Sequence, residues 1–79
     1  MMDEIKHFVK VRNEAMFSLD RNKIEDYFAW IGQPLPENDI IFWATVHKCI
    51  CNITTAPSDL VAISKKWLYE HGMNPLIVI

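Results

Sequence analysis

The string HKCIC at residues 47–51 gathers a histidine and two cysteines, the side-chain types that hold metals or serve as base and nucleophile. On a helix, His47 and Cys51 stand one turn apart and could share an ion. A structural zinc needs about four ligands. Only His7, His71 and Cys49 remain to complete a set, and no second CxxC or HxxxH pair occurs. No metal and no cofactor is therefore expected, and the cysteines read as small buried hydrophobes. Two residues apart on a helix, Cys49 and Cys51 point away from each other and cannot bridge.

Catalytic machinery is equally thin. A cysteine beside a histidine could form a nucleophile and its base. The chain has two glycines, Gly32 and Gly72, and both read as helix stops, which leaves no glycine-rich phosphate loop. Glu25 and Asp26 fall at the edge of a solvated helix face and not in a cleft. No catalytic residue is expected, and no enzymatic activity.

Polar residues that interrupt apolar faces carry more information. Arg12 sits in the middle of an apolar stripe formed by Phe8, Val9, Ala15 and Met16. Asp39, His47 and Ser64 fall inside the apolar arcs of their own segments, and His71 at the end of one. A buried charge must be paired or it costs several kcal/mol. One expectation is that Arg12 and Asp39 pair internally, or that Arg12 covers apolar surface with its stem alone. The other is that Arg12, Trp43, His47 and Lys48 hold an anionic ligand such as a nucleotide against aromatic walls. Arg12, Asp39 and Ser64 are expected to be buried in either case.

Four helices must position these residues. The third, residues 38–54, is the most apolar. Glu37, Asn38, Thr45, Lys48 and Asn52 gather on one side, and Phe42, Trp43, Val46, Cys49, Ile50, Cys51 and Ile53 take up an arc of roughly 220°. A surface helix needs about half that width, so this helix is expected to be covered on two or three sides. The first, residues 3–19, presents Ile5, Phe8, Val9, Ala15, Met16 and Leu19 on one face, with Lys6, Lys10, Asn13 and Glu14 opposite. The second, residues 21–31, starts at the N-cap Asp20, with Leu19 and Ile24 placed as a hydrophobic staple, and stops at Gly32. Its stripe is Ile24, Tyr27, Phe28 and Ile31. Trp30 falls outside it, as a lid over a neighbouring loop or an interface anchor. The fourth, residues 59–71, is expected to be capped by Ser58 and closed by Gly72. The fold class is thus all-α: a compact four-helix domain, orthogonal or bundle-like, over residues 1–79, with a buried third helix.

Size and charge bound the function. A chain of 79 residues has a thin core, and such chains often add a partner. Half of this one is apolar, with three tryptophans, and its net charge is −2. Nucleic-acid binding is not expected without a basic face. No apolar run reaches membrane-spanning length, no secretory leader pattern opens the chain, and a cytoplasmic location is expected. The tail residues Leu76, Ile77 and Ile79, with Trp30, are candidate interface residues.

Three stretches, residues 11–20 (VRNEAMFSLD), 41–48 (IFWATVHK) and 64–75 (SKKWLYEHGMNP), together with LPEND at 35–39, resemble small uncharacterised proteins encoded by bacteriophages and prophages. The resemblance implies a small helical accessory protein in a bacterial host cytoplasm and supplies no catalytic motif. Two functions follow as expectations. One is a homo-oligomeric module that binds a protein partner through surplus apolar surface. The other is a protein that sequesters a small anionic ligand.

Overall fold

The computed structural model describes the backbone of residues 2–73 and the side chains of residues 4–73, and every regular element among them is an α-helix. In chain order they are α1 (Met2–Ser18), α2 (Arg21–Trp30), α3 (Asp39–Cys51) and α4 (Ser58–Glu70). The all-α class is the one observed. Residue contacts gather into two units, Met1–Leu35 and Pro36–Ile79, with α1 packed on α2 in the first and α3 on α4 in the second.

In the first unit the chain turns sharply between its helices. Ser18 Oγ donates to Ala15 O at 2.6 Å and accepts from Asp20 N at 3.1 Å. Leu19 takes a left-handed φ of 53°, a conformation that costs a non-glycine residue about 1–2 kcal/mol. Asp20 then caps α2 as expected, its Oδ1 accepting from Asn22 N at 2.9 Å. Ile24, Tyr27 and Phe28 are buried. Gly32, at φ 73°, closes α2: its N–H donates to Ala29 O and that of Gln33 to Phe28 O, the Schellman pair.

The apolar face of α1 is covered over only half its length. Ala15 and Met16 are buried, whereas Ile5, Phe8 and Val9, expected to share that cover, are exposed, Ile5 at 67%. Among the described residues that face is left open at Ile5 and only partly covered at Phe8, which meets Tyr27 and Trp30 of α2. Arg12, expected to be buried, is half-buried.

In the second unit Asn38 caps α3, its Oδ1 accepting from Ile40 N at 2.7 Å. Phe42, Ala44, Val46, His47 and Ile50 are buried, and Thr45 and Asn52 lie in solvent as the wheel requires. The wide covered arc of the third helix is therefore real from Phe42 onward. Its first turn is not covered: Asp39, expected to be buried, is exposed, as are Ile40 and Ile41. A first-turn carboxylate is well placed there, beside the positive end of the helix dipole.

The start of α4 departs from expectation. Ser58 is its first helical residue, the cap position falls on Pro57, and no side chain caps the free N–H groups. Proline's fixed φ suits the helix approach, so the turn forms without a hydroxyl cap. Ser64 and Leu68 are fully buried, while Ile63 stands 53% exposed. Gly72, at φ 71°, repeats the Schellman closure, with Met73 N donating to Leu68 O at 2.8 Å.

Candidate functional site

The α3–α4 seam carries four rings in a column. Trp43 and His47 are one turn apart on α3, and Trp67 and His71 one turn apart on either side of the C-terminus of α4, so each pair shares a helix face. The His47 ring lies 4.8 Å from Trp67 at 30°, and Trp67 stacks on His71 at 3.9 Å and 19°. Trp43 stands 6.1 Å from His47 at 34°. His71 Nδ1–H donates to Trp67 O at 2.8 Å, a second bond to a carbonyl that also accepts from the His71 backbone N–H at 3.2 Å.

His47 is 5% exposed, and its Nδ1 lies 2.9 Å from the Oγ of Ser64, which has no exposed surface. Burial lowers the pKa of His47, and the nearby His71 lowers it further. A neutral imidazole already hydrogen-bonded to Ser64 offers no positive charge to an anion. The pair has the composition of a nucleophile and its base, but a serine with no accessible surface cannot meet a substrate. Its chemistry is that of a satisfied internal hydrogen bond between two helices.

Of the four residues expected to hold an anion, the fold brings Trp43 and His47 together. Lys48 follows His47 by about 100° around the helix and is half-buried toward the wet side. Arg12 belongs to the first unit, where its Nε and Nη2 donate to Asn13 Oδ1 at 3.1 and 3.0 Å. Among the described residues Arg12 forms no ion pair; that between Arg21 and Glu25, at 2.8 Å, is a helical i, i+4 pair. An open hollow of about 280 Å³ lies along α1 and α2, lined by Val11, Glu14, Ala15, Lys23, Asp26 and Tyr27. Two carboxylates against one ammonium make it a poor receptor for an anion.

Among the described residues no three His, Cys, Asp or Glu side chains come together to hold a metal. Cys49 and Cys51 are half-buried, and neither is in a disulfide. Burial pushes the Cys51 thiol up from its usual value, and Lys65 on α4 offsets part of that rise.

The first unit displays a second aromatic group, and this one faces outward. Trp30 is 54% exposed and stacks on Phe8 at 5.8 Å and 29°, with the His7 ring edge-on at 6.2 Å and Tyr27 at 6.3 Å. Ile5 and Val9 continue the exposed surface along α1. Of the residues proposed as an interface from sequence, Trp30 is thus on the exterior, and Leu76, Ile77 and Ile79 lie outside the described residues. Phe8 and Ile5 were assigned to the core by their spacing, which marks a face as apolar without saying whether anything covers it. Trp67 and His71 were not joined to His47 in advance. The signal was present in two ring pairs at the same i, i+4 spacing on consecutive apolar helices.

No helix among the described residues is long and apolar enough to cross a membrane. Comparison with known proteins returns no match: no family model, no curated protein and no solved structure is similar to the chain.

Proposed function

We propose that this chain is a non-enzymatic accessory protein of the bacteriophage type, acting in a bacterial cytoplasm by binding other protein chains and associating with itself. The observation that carries this reading is the exposed surface formed by Ile5, Phe8, Val9 and Trp30. Single exposed apolar residues need no explanation. A contiguous set that includes a stacked aromatic pair marks an interaction site, because tryptophan is enriched where interfaces derive most of their binding energy. The best-formed polar constellation, His47 with Ser64, is sealed within its unit and engaged in packing. The competing function, capture of an anionic ligand by Arg12, Trp43, His47 and Lys48, has less geometric support, since His47 is held neutral and Arg12 belongs to the first unit whereas the other three belong to the second.

Two measurements on the purified chain separate these functions. Sedimentation velocity across a concentration series is expected to show association. A thermal-shift screen against nucleotides is expected to show no stabilisation, whereas a ligand at a hundred times its Kd would add about 2.7 kcal/mol. A monomer at every concentration that is stabilised by a nucleotide would reverse the choice.

A further inference from the structure

We infer that the first unit pairs with a second copy of itself across a two-fold axis at Phe8, with α1 crossing the partner's α1 in antiparallel sense. This rests on the binding reading above and names the partner and the register.

Glu4, Phe8 and Arg12 are spaced i, i+4, i+8 and form one slanted row on α1. Glu4 and Arg12 stand about 6 Å along the axis on either side of Phe8. A two-fold axis through Phe8 therefore brings Glu4 of one copy level with Arg12 of the other, and the symmetry makes the same pair twice. The row is acidic, aromatic, basic; reversed, it is its own complement. Such rows run parallel to one another when two helices cross at about −50°, the commonest packing of i±4 ridges. The neighbouring row, Ile5 and Val9, then enters the contact, and Trp30 stands beside Phe8 to extend it.

The charges at both ends of the row are available. Glu4 is exposed, and among the described residues neither it nor Arg12 forms an ion pair. The Arg12 guanidinium has five N–H donors and uses two of them on Asn13, which is neutral. Lys6 and Lys10 lie about 160° around the helix from Phe8, on the face turned away from the contact, where salt screens what repulsion reaches the partner. They limit the affinity without opposing the central contacts.

The test uses charge reversal on the full chain, read by sedimentation velocity with circular dichroism to confirm the helices. E4R places like charges at both symmetric pairs, and so does R12E. Each is expected to weaken self-association by about tenfold or more. An equimolar mixture of E4R and R12E chains restores both pairs and is expected to recover association, as is the double variant E4R/R12E. F8K, at an exposed position, is expected to leave a folded monomer. If the wild-type chain associates but all these variants do so equally well, the two-fold at Phe8 is wrong and self-association through another surface stands. Failure of the mixture to recover what the single variants lose would also overturn the register. A wild-type chain that stays monomeric at every concentration ends this inference, and with it the self-association in the proposed function.

Discussion

His47 Nδ1 and Ser64 Oγ lie 2.9 Å apart across the seam between α3 and α4, with His47 5% exposed and Ser64 fully enclosed. Neither group has bulk water at hand if its partner is removed. That fixes what the pair is worth: little as a hydrogen bond in isolation, more as the avoidance of an orphaned buried nitrogen or hydroxyl.

Ser64→Ala is accordingly expected to destabilise the chain by about 1–3 kcal/mol, because it strands Nδ1 of His47. His47→Leu should strand the Ser64 hydroxyl at similar cost. The double variant removes both polar groups and is expected to be less destabilised than the sum of the two, with a coupling of about 0.5–3 kcal/mol. Urea unfolding of the four proteins gives the cycle directly. Additive losses would show that the two groups do not depend on each other.

Stability should also depend on pH through the same residue. Burial, and then the charge of His71, depress the native pKa of His47 below the ordinary histidine value of 6.5. In the interval between that lowered value and 6.5 the unfolded chain binds a proton that the native chain refuses. Unfolding therefore takes up protons there, and stability rises with pH across the interval and falls as the solution is acidified. His47→Leu removes this contribution. The midpoint of urea unfolding, measured at about pH 7.5 and about pH 5, should fall less in the variant than in the wild type. Equal falls would mean that His47 protonates as readily folded as unfolded.

Helix number and order, and the ends at Asp20, Gly32, Asn38 and Gly72, were legible in the sequence because they depend on local chemistry; the third helix stops at Cys51, short of the 54 expected. Asp20 and Asn38 accept backbone N–H bonds where a cap was expected, and Gly32 and Gly72 take the left-handed conformation at which a helix stops. The covered arc of α3 was legible too, since an apolar arc that wide leaves few alternatives. Burial along α1 was not. Its apolar spacing is the same at Ile5 as at Met16, yet Met16 is 2% exposed and Ile5 67%. Periodicity reports which face a helix would bury; which neighbour reaches it is a tertiary matter. Arg12 and Asp39 were misjudged for the same reason, each read as buried from its position on the wheel. The ring column at His47 needed the pairing of α3 with α4, which no local pattern specifies.

The caps provide a contrast within one molecule. Asn38→Ala removes the acceptor for Ile40 N, bonded at 2.7 Å, and should cost about 1 kcal/mol. Asp20→Ala should cost a similar amount at α2, where Asn22 N loses its bond of 2.9 Å. Ser58→Ala should change stability by less than about 0.5 kcal/mol, because α4 begins at Ser58 with no side-chain cap to lose. Thermal unfolding of the three variants, compared at the wild-type Tm, orders them. A loss at Ser58 equal to that at Asn38 would contradict the geometry at Pro57.

Thiol chemistry at Cys51 tests the α3–α4 seam from its other end. The reacting species is the thiolate, so the labelling rate follows the fraction of the thiol that is ionised. Burial raises the Cys51 pKa, and the positive charge of Lys65 across the seam works against that rise. Cys51 in the folded chain should therefore alkylate more slowly at neutral pH than in the chain unfolded by urea. Lys65→Glu replaces the opposing charge with one that disfavours the thiolate, and should slow the reaction further at low salt. Added salt should shrink the difference between the variant and the wild type, since Lys65 is exposed and its field is screened. Peptide-mapped mass spectrometry after timed exposure to iodoacetamide gives the rate at Cys51 alone. A rate that is the same folded and unfolded, or unmoved by Lys65→Glu, would mean that the seam places neither apolar cover nor Lys65 over this sulfur.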